Sequence, residues 1–312
     1  MKPFLSANRI PIMHVLVKGG RLVLKRISLF IFVNILVLIT ITTITSLLGV
    51  QSYMGSSGYG GLLAFSVIAG FSGAIISLMM SRVMAKWMMG VQVIDERSPQ
   101  GEYERFVLEE THRLASVAGL RKMPQVGIYH SAEVNAFATG PSKRRSLVAV
   151  SSGMLERMDR DAISGVIAHE IAHIKSGDMV TTTLLQGVLN TFVIFFSRLV
   201  AKAVSNFVRE EFAMVVYFLT SIVFEILFSI LSSPIIFWHS RRREFKADEL
   251  AAKLGGKEKM IYALESLRHT TSLVDDRQKS IAAFKISGKE KFSRLFSTHP
   301  PLEKRIERLH SL

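Results

Sequence analysis

Val166-Ile167-Ala168-His169-Glu170-Ile171-Ala172-His173-Ile174 is the stretch on which the reading of this 312-residue chain turns. On a helix, residues four apart project about 40° from each other, so both imidazoles reach one metal ion with the glutamate between them alongside. This is the HExxH arrangement of zinc peptidases, in which the glutamate takes a proton from the attacking water and the ion polarises the scissile carbonyl. Upstream, Met158-Asp159-Arg160-Asp161 offers an N-cap for the helix. The same letters also fall by chance on ordinary amphipathic helices, so the rest of the chain has to supply the remainder of a site.

Composition sets the setting for that site. Hydrophobic residues make up 49% of the chain and mean hydropathy is +0.31, values that point to membrane segments. The formal charge of +14 and pI near 10.1 are what the positive-inside rule and anionic headgroups produce in a membrane protein, so no nucleic-acid partner is implied. There is no cysteine. A metal must therefore be held by His, Asp or Glu, the ligand set of catalytic rather than zinc-finger sites.

Residues 1–26 carry Lys2, Arg9, Lys18, Arg21, Lys25 and Arg26 and no acid. Residues 27–50 and 61–80 are uncharged and long enough to cross a ~30 Å hydrocarbon core, joined by a Gly- and Ser-rich connector. Charge asymmetry places residues 1–26 and the chain after Arg82 in the cytoplasm. Ser66, Gly70 and Ala74 lie four apart in the second span; close packing within the chain is the first reading of that stripe and homo-oligomer formation the second. Residues 180–200 and 212–238 form a further apolar pair, transmembrane or membrane-associated, that returns the chain at Arg241-Arg242-Arg243 to the side it left. Glu225 within it is costly at membrane depth unless buried, paired or protonated, and a structural role inside the helix bundle is expected.

Between these pairs, residues 81–178 read as soluble. A helix is predicted over 103–118, stopped by Gly119, with short strands over 125–129 and 147–151 and the extended segment Asn135-Ala136-Phe137-Ala138-Thr139-Gly140 between them. Residues 239–312 form a second soluble part, with helices over 245–254, 260–267 and 301–309 and a loop over 275–290. A catalytic zinc needs a third protein ligand, and Arg243-Glu244-Phe245-Lys246-Ala247-Asp248 offers two carboxylates one turn apart on one face. One can bind metal while the other orients a histidine; the competing reading pairs Glu244 with its neighbouring arginines on a solvated face.

His169-Glu170-Ile171-Ala172-His173-Ile174-Lys175-Ser176-Gly177-Asp178, the segment around Glu244, and Thr298-His299-Pro300-Pro301-Leu302-Glu303-Lys304-Arg305-Ile306 together resemble the HtpX family of membrane zinc metalloproteases, gluzincins related to the CAAX prenyl proteases. The resemblance covers nearly the whole chain. It implies a mainly α fold with a small β-sheet, in which helical transmembrane segments carry a cytoplasmic gluzincin-type metalloprotease domain. It further implies one Zn2+ per chain held by His169, His173 and Glu244, with Glu170 as general base. Asp248 and Asp178 match carboxylates that support the ligands. Asn135, Ala136 and Phe137 resemble the edge strand that holds substrate backbone. His299 and Arg305 correspond to a cationic pair near the cleft, His299 being placed to donate to the oxyanion.

The implied setting is the bacterial cytoplasmic (inner) membrane, multi-pass in the bilayer with the active site facing the cytoplasm, and the implied role is stress-linked quality control of misfolded or damaged membrane proteins. Two other functions stay in view. A CAAX-type processing protease shares the zinc chemistry but calls for a closed chamber of more spans. A non-enzymatic membrane chaperone with structural zinc has no need of a base between its histidines.

Overall fold

A computed structural model describes residues 28, 31–33, 35–48, 59–278 and 299–312. The basic N-terminal 26 residues, most of the connector and most of the expected loop lie outside them. An apolar helix Ile31–Leu47 (α1) falls within the first expected span. Three further helices are long and apolar enough to cross a membrane: α2 (Tyr59–Met88), α6 (Asp178–Ser205) and α7 (Glu210–Gly255). The soluble part adds β1 (Gln92–Val93), α3 (Gly101–Val117), β2 (Gln125–Tyr129), β3 (Ala136–Ser142), β4 (Arg145–Ser151), α4 (Ser152–Arg157), α5 (Arg160–Ser176), α8 (Lys257–Gln278) and α9 (Leu302–His310).

The sheet runs β1-β2-β4-β3. β4 pairs parallel with β2 and antiparallel with β3, which leaves β3 at an edge. Leu147, Val148, Ala149 and Val150 are fully buried, as expected of an apolar strand covered on both faces. The β3–β4 hairpin closes at Ser142 opposite Arg145 after a register shift. Gly140 permits it: its φ is +146°, and a Cβ there would lie 2.1 Å from the Arg145 carbonyl oxygen.

Helix α5 is the centre of the core. Ala162, Ile163, Ile167, Ala168, Ile171, Ala172 and Ile174 are at most 1% exposed, a width of apolar surface that only a helix covered on most sides presents. The Asp159 side chain accepts a hydrogen bond from the Ala162 N–H at the start, and Gly177 at φ 76° ends the helix with its N–H on the carbonyls of His173 and Ile174. That left-handed glycine turns the chain directly into α6, so the helix bearing both histidines runs straight into an apolar one. Gly165 sets how closely α5 meets α8, since a Cβ there would fall 2.6 Å from the Lys259 carbonyl oxygen.

Two expected boundaries move. The spacing predicts separate helices over 212–238 and 245–254; instead α7 is one helix of 46 residues that carries Pro234 and continues past Arg241-Arg242-Arg243. A change from apolar to charged side chains alters what surrounds a helix without breaking its backbone hydrogen bonds, and no cap occurs before Gly256. Likewise α8 continues to Gln278, taking in the first residues of the expected loop. Within the bundle, Gly70 packs so closely on α6 that a Cβ would stand 2.6 Å from the Thr191 N, and Ser66 is fully buried: the small-residue stripe serves contact within the chain. Glu225 has a partner, Arg198, at 3.4 Å, and the Arg198 guanidinium sits 4.9 Å from the centroid of the Phe65 ring.

Candidate active site

α5 and α7 bring three donor residues to one point. His169 Nε2 lies 3.1 Å from His173 Nε2, and the two nitrogens lie 3.4 and 3.3 Å from the Oε2 and Oε1 of Glu244 respectively. A tetrahedral ion held at about 2.0–2.1 Å sets its ligand atoms roughly 3.3–3.4 Å apart, and one donor atom from each of these three side chains lies within 4.8 Å of the others, a grouping that could hold such an ion. His169 is 8% exposed and Glu244 1%, and the His173 side chain is 12% exposed. Among the described residues this is the group of His, Asp and Glu that could hold a metal ion.

The other ring nitrogens are held by carboxylates. His173 Nδ1 is 2.6 Å from Asp178 Oδ2 and His169 Nδ1 is 2.9 Å from Asp248 Oδ1. Such contacts fix the tautomer and aim Nε2 at the common point. Arg305 lies behind them, 6% exposed, with Nε and Nη2 donating to the two oxygens of Asp248. Burial works against charge on both imidazoles, but the carboxylates outweigh it. Hydrogen bonds to Asp178 and Glu244 push His173 up to about 9. His169 is raised through Asp248 and Glu244. Arg305, although desolvated, is held above its ordinary value by Asp248. The pocket is therefore built to keep positive charge at its centre, which a divalent metal supplies more compactly than protons.

The residues named from the sequence converge, with one exception. Asn135, Ala136, His169, Glu170, Glu244, His299 and Arg305 line one cleft. His299 Nδ1 reaches Glu244 Oε2 at 2.9 Å from a ring that is 65% exposed at the mouth. Asn135 precedes β3 and exchanges hydrogen bonds with Ser151, its N–H to Ser151 Oγ and its carbonyl to the Ser151 N–H. Phe137 is turned away: it packs 5.5 Å from the Tyr129 ring in a separate apolar cluster. Side chains alternate across a strand, so Ala136 facing the cleft obliges Phe137 to face the far side, and only its backbone belongs to the edge.

Arg243 was missed as a site residue. Its Nη1 donates to Thr182 Oγ1 at 2.7 Å, and its guanidinium lies 3.8 Å from Asp178 and 3.9 Å from Glu244. It thereby braces the start of α6 against the third candidate ligand. Its position immediately before Glu244 is the available signal, although the sequence alone offers it only as a rival surface partner. The apolar wall of Met260, Leu264 and Leu267 also escaped notice, although the spacing marks one face of α8.

Three side chains that could hold a metal ion, on helices that continue into an apolar bundle and beside a strand at the sheet edge among the described residues, define a membrane metalloprotease. The comparisons with known proteins agree. The model of peptidase family M48 matches residues 103–312. The chain is 55% identical over 295 residues to a Protease HtpX homolog of Bacillus licheniformis, covering 92% of this chain and 99% of the relative. It is 48% identical over 296 residues to Protease HtpX of Tolumonas auensis, covering 93% and 100%. The chain thus belongs to the HtpX family of membrane metalloproteases within peptidase family M48. In fold it is similar to the crystal structure of S. mikatae Ste24p, with a TM-score of 0.59 at 19% identity, covering 89% of this chain and 66% of that one.

Proposed function

We propose that the protein is a membrane-anchored zinc endopeptidase that cuts extended segments of misfolded or damaged membrane proteins at the cytoplasmic face of the bacterial inner membrane. His169, His173 and Glu244 hold the ion. When bound, zinc supplies Lewis acidity, polarising a carbonyl and acidifying water. Glu170, beside the ligands in the same cleft, takes the proton of the attacking water and returns it to the leaving amine. His299 donates to the developing oxyanion, and Asp178 and Asp248 keep the ligand histidines in one tautomer. The β3 edge, unpaired among the described residues, receives the substrate backbone as an added strand, a mode that reads backbone more than sequence and so suits a quality-control protease.

The observation that carries this reading is the single cleft shared by His169, Glu244, Glu170 and the start of the edge strand. Glu170→Gln tests it. The variant is expected to keep its zinc, measured by atomic absorption, while cleavage of casein by the purified protein falls by at least about 100-fold. Wild-type cleavage should stop with a zinc chelator and return with added zinc. Retained cleavage by pure Glu170→Gln protein sinks the assignment of the base.

A further inference from the structure

The ends of the strands away from the cleft lie beside the membrane helices. Near the end of α2, Arg82 and Lys86 both hydrogen-bond Gln125 Oε1 at the first residue of β2. Gln125 sits opposite Leu147, next to the hairpin that Ser142 and Arg145 close. From the other side, α6 begins at Asp178 just after Lys175, and Lys143 of the hairpin donates to the Lys175 carbonyl. This end of the soluble part is thus pinned to the ends of two helices long and apolar enough to cross a membrane.

A cationic pocket opens there. Arg121, Lys122, Lys143, Arg144 and Lys175 line one concavity of about 290 Å³ whose other lining residues are Gly119 and Leu120. The end of α3 comes close enough that a Cβ on Gly119 would lie 3.6 Å from Lys175 Nζ. Among the described residues no acidic side chain lines the pocket. Each of these five cations is exposed, so an anion bound among them meets positive charge on several sides that salt screens only in part.

We propose that this pocket binds the phosphate of an anionic phospholipid headgroup. The arginine forks match phosphate oxygens and the lysines add point charge. Basic pockets of this kind beside membrane helices bind anionic headgroups. The site's position selects lipid over soluble phosphate, because the helices on either side hold it at the surface where headgroups are concentrated. A lipid there bridges the end of α3, the hairpin and the end of α5, and so fixes the height of the HExxH helix over the bilayer.

The test uses the full chain in neutral detergent and native mass spectrometry with phosphatidylglycerol or phosphatidylcholine. Phosphatidylglycerol should be retained in preference. Arg121→Gln/Lys122→Gln/Arg144→Gln should weaken its binding on the order of 100-fold, about fivefold for each charge near an anionic surface. Lys253→Gln/Arg268→Gln/Lys304→Gln, which removes the same charge elsewhere, should leave it unchanged. Unfolding midpoints check both proteins, and Lys143→Gln/Lys175→Gln serves if the first variant loses its fold. Equal weakening by the two triple variants, or equal retention of both lipids, overturns the proposal. Displacement of the lipid by millimolar inorganic phosphate overturns it in favour of a free-phosphate site.

Discussion

Asp248 and Arg305 meet behind His169 in a bidentate pair, the guanidinium Nε and Nη2 lying 2.7 and 2.6 Å from the carboxylate oxygens. Arg305 is on α9, the last helix, so the C-terminal end of the chain is tied to a residue that orients a candidate ligand. Removing it takes the guanidinium from a buried carboxylate that keeps His169 Nδ1 as a partner, at a cost toward the lower end of about 3–5 kcal/mol. Arg305→Ala is therefore expected to lower the unfolding midpoint and to lose zinc, while Arg305→Lys, which keeps the charge but not the fork, falls between. Wild-type zinc content and stability in Arg305→Ala would show that the pair positions nothing.

How much of this was legible in the sequence depends on range. The caps of α5, Asp159 and Gly177, are local chemistry and were readable, as was the spacing of His169 and His173. Glu244 stood out because a second carboxylate, Asp248, lies one turn away on the same helix face. The burial of Arg305 was not readable, because an amphipathic helix near a chain end looks the same whether its arginine meets water or a distant aspartate. The facing of Phe137 depended on which end of β3 enters the cleft, a matter of strand register. The continuity of α7 is hidden by the arginine run, which marks a change of surroundings and not of backbone structure. The partner of Glu225 lies on another helix and becomes visible only once α6 and α7 are packed.

Asp178 holds His173 through a 2.6 Å contact and starts α6. Asp178→Asn keeps the shape and a polar contact but removes the charge that favours the correct tautomer. Zinc affinity is expected to fall roughly 10- to 100-fold, as for other supporting groups behind metal-bound histidines. Competition with a chelator of known affinity measures it. An unchanged affinity would mean that Asp178 only begins a helix.

Gly165 lies where α5 crosses α8, with the Lys259 carbonyl oxygen 2.6 Å and the Ala263 Cβ 2.7 Å from the place a Cβ would occupy. Both neighbours are rigid, backbone in one case and a helical alanine in the other. Gly165→Ala should push the two helices apart at a cost of about 1–3 kcal/mol, offset in part by the better helix propensity of alanine. Because the same face of α8 carries Leu264 and Leu267 into the cleft, KM for casein should rise more than kcat falls. A thermal midpoint at or above that of the wild type would refute the close contact.

Glu110 ties α3 to the HExxH helix. It accepts hydrogen bonds from Arg113 Nε and Nη2 at 2.7 and 2.6 Å and from the Ser164 hydroxyl on α5. The Arg113 contact lowers its pKa below the ordinary 4.5, with partial burial opposing and Ser164 assisting. Folding thus favours the charged form. Its contribution is complete above pH 4.5 and is lost as the pH falls through the lower folded value. Glu110→Gln cannot accept a charge-assisted pair from Arg113, so it should lower the unfolding midpoint at pH 7 while making the midpoint less sensitive to acid between pH 5 and 3 than that of the wild type. If the two proteins lose stability in parallel over that interval, other carboxylates control the acid response and the α3–α5 tie is energetically silent.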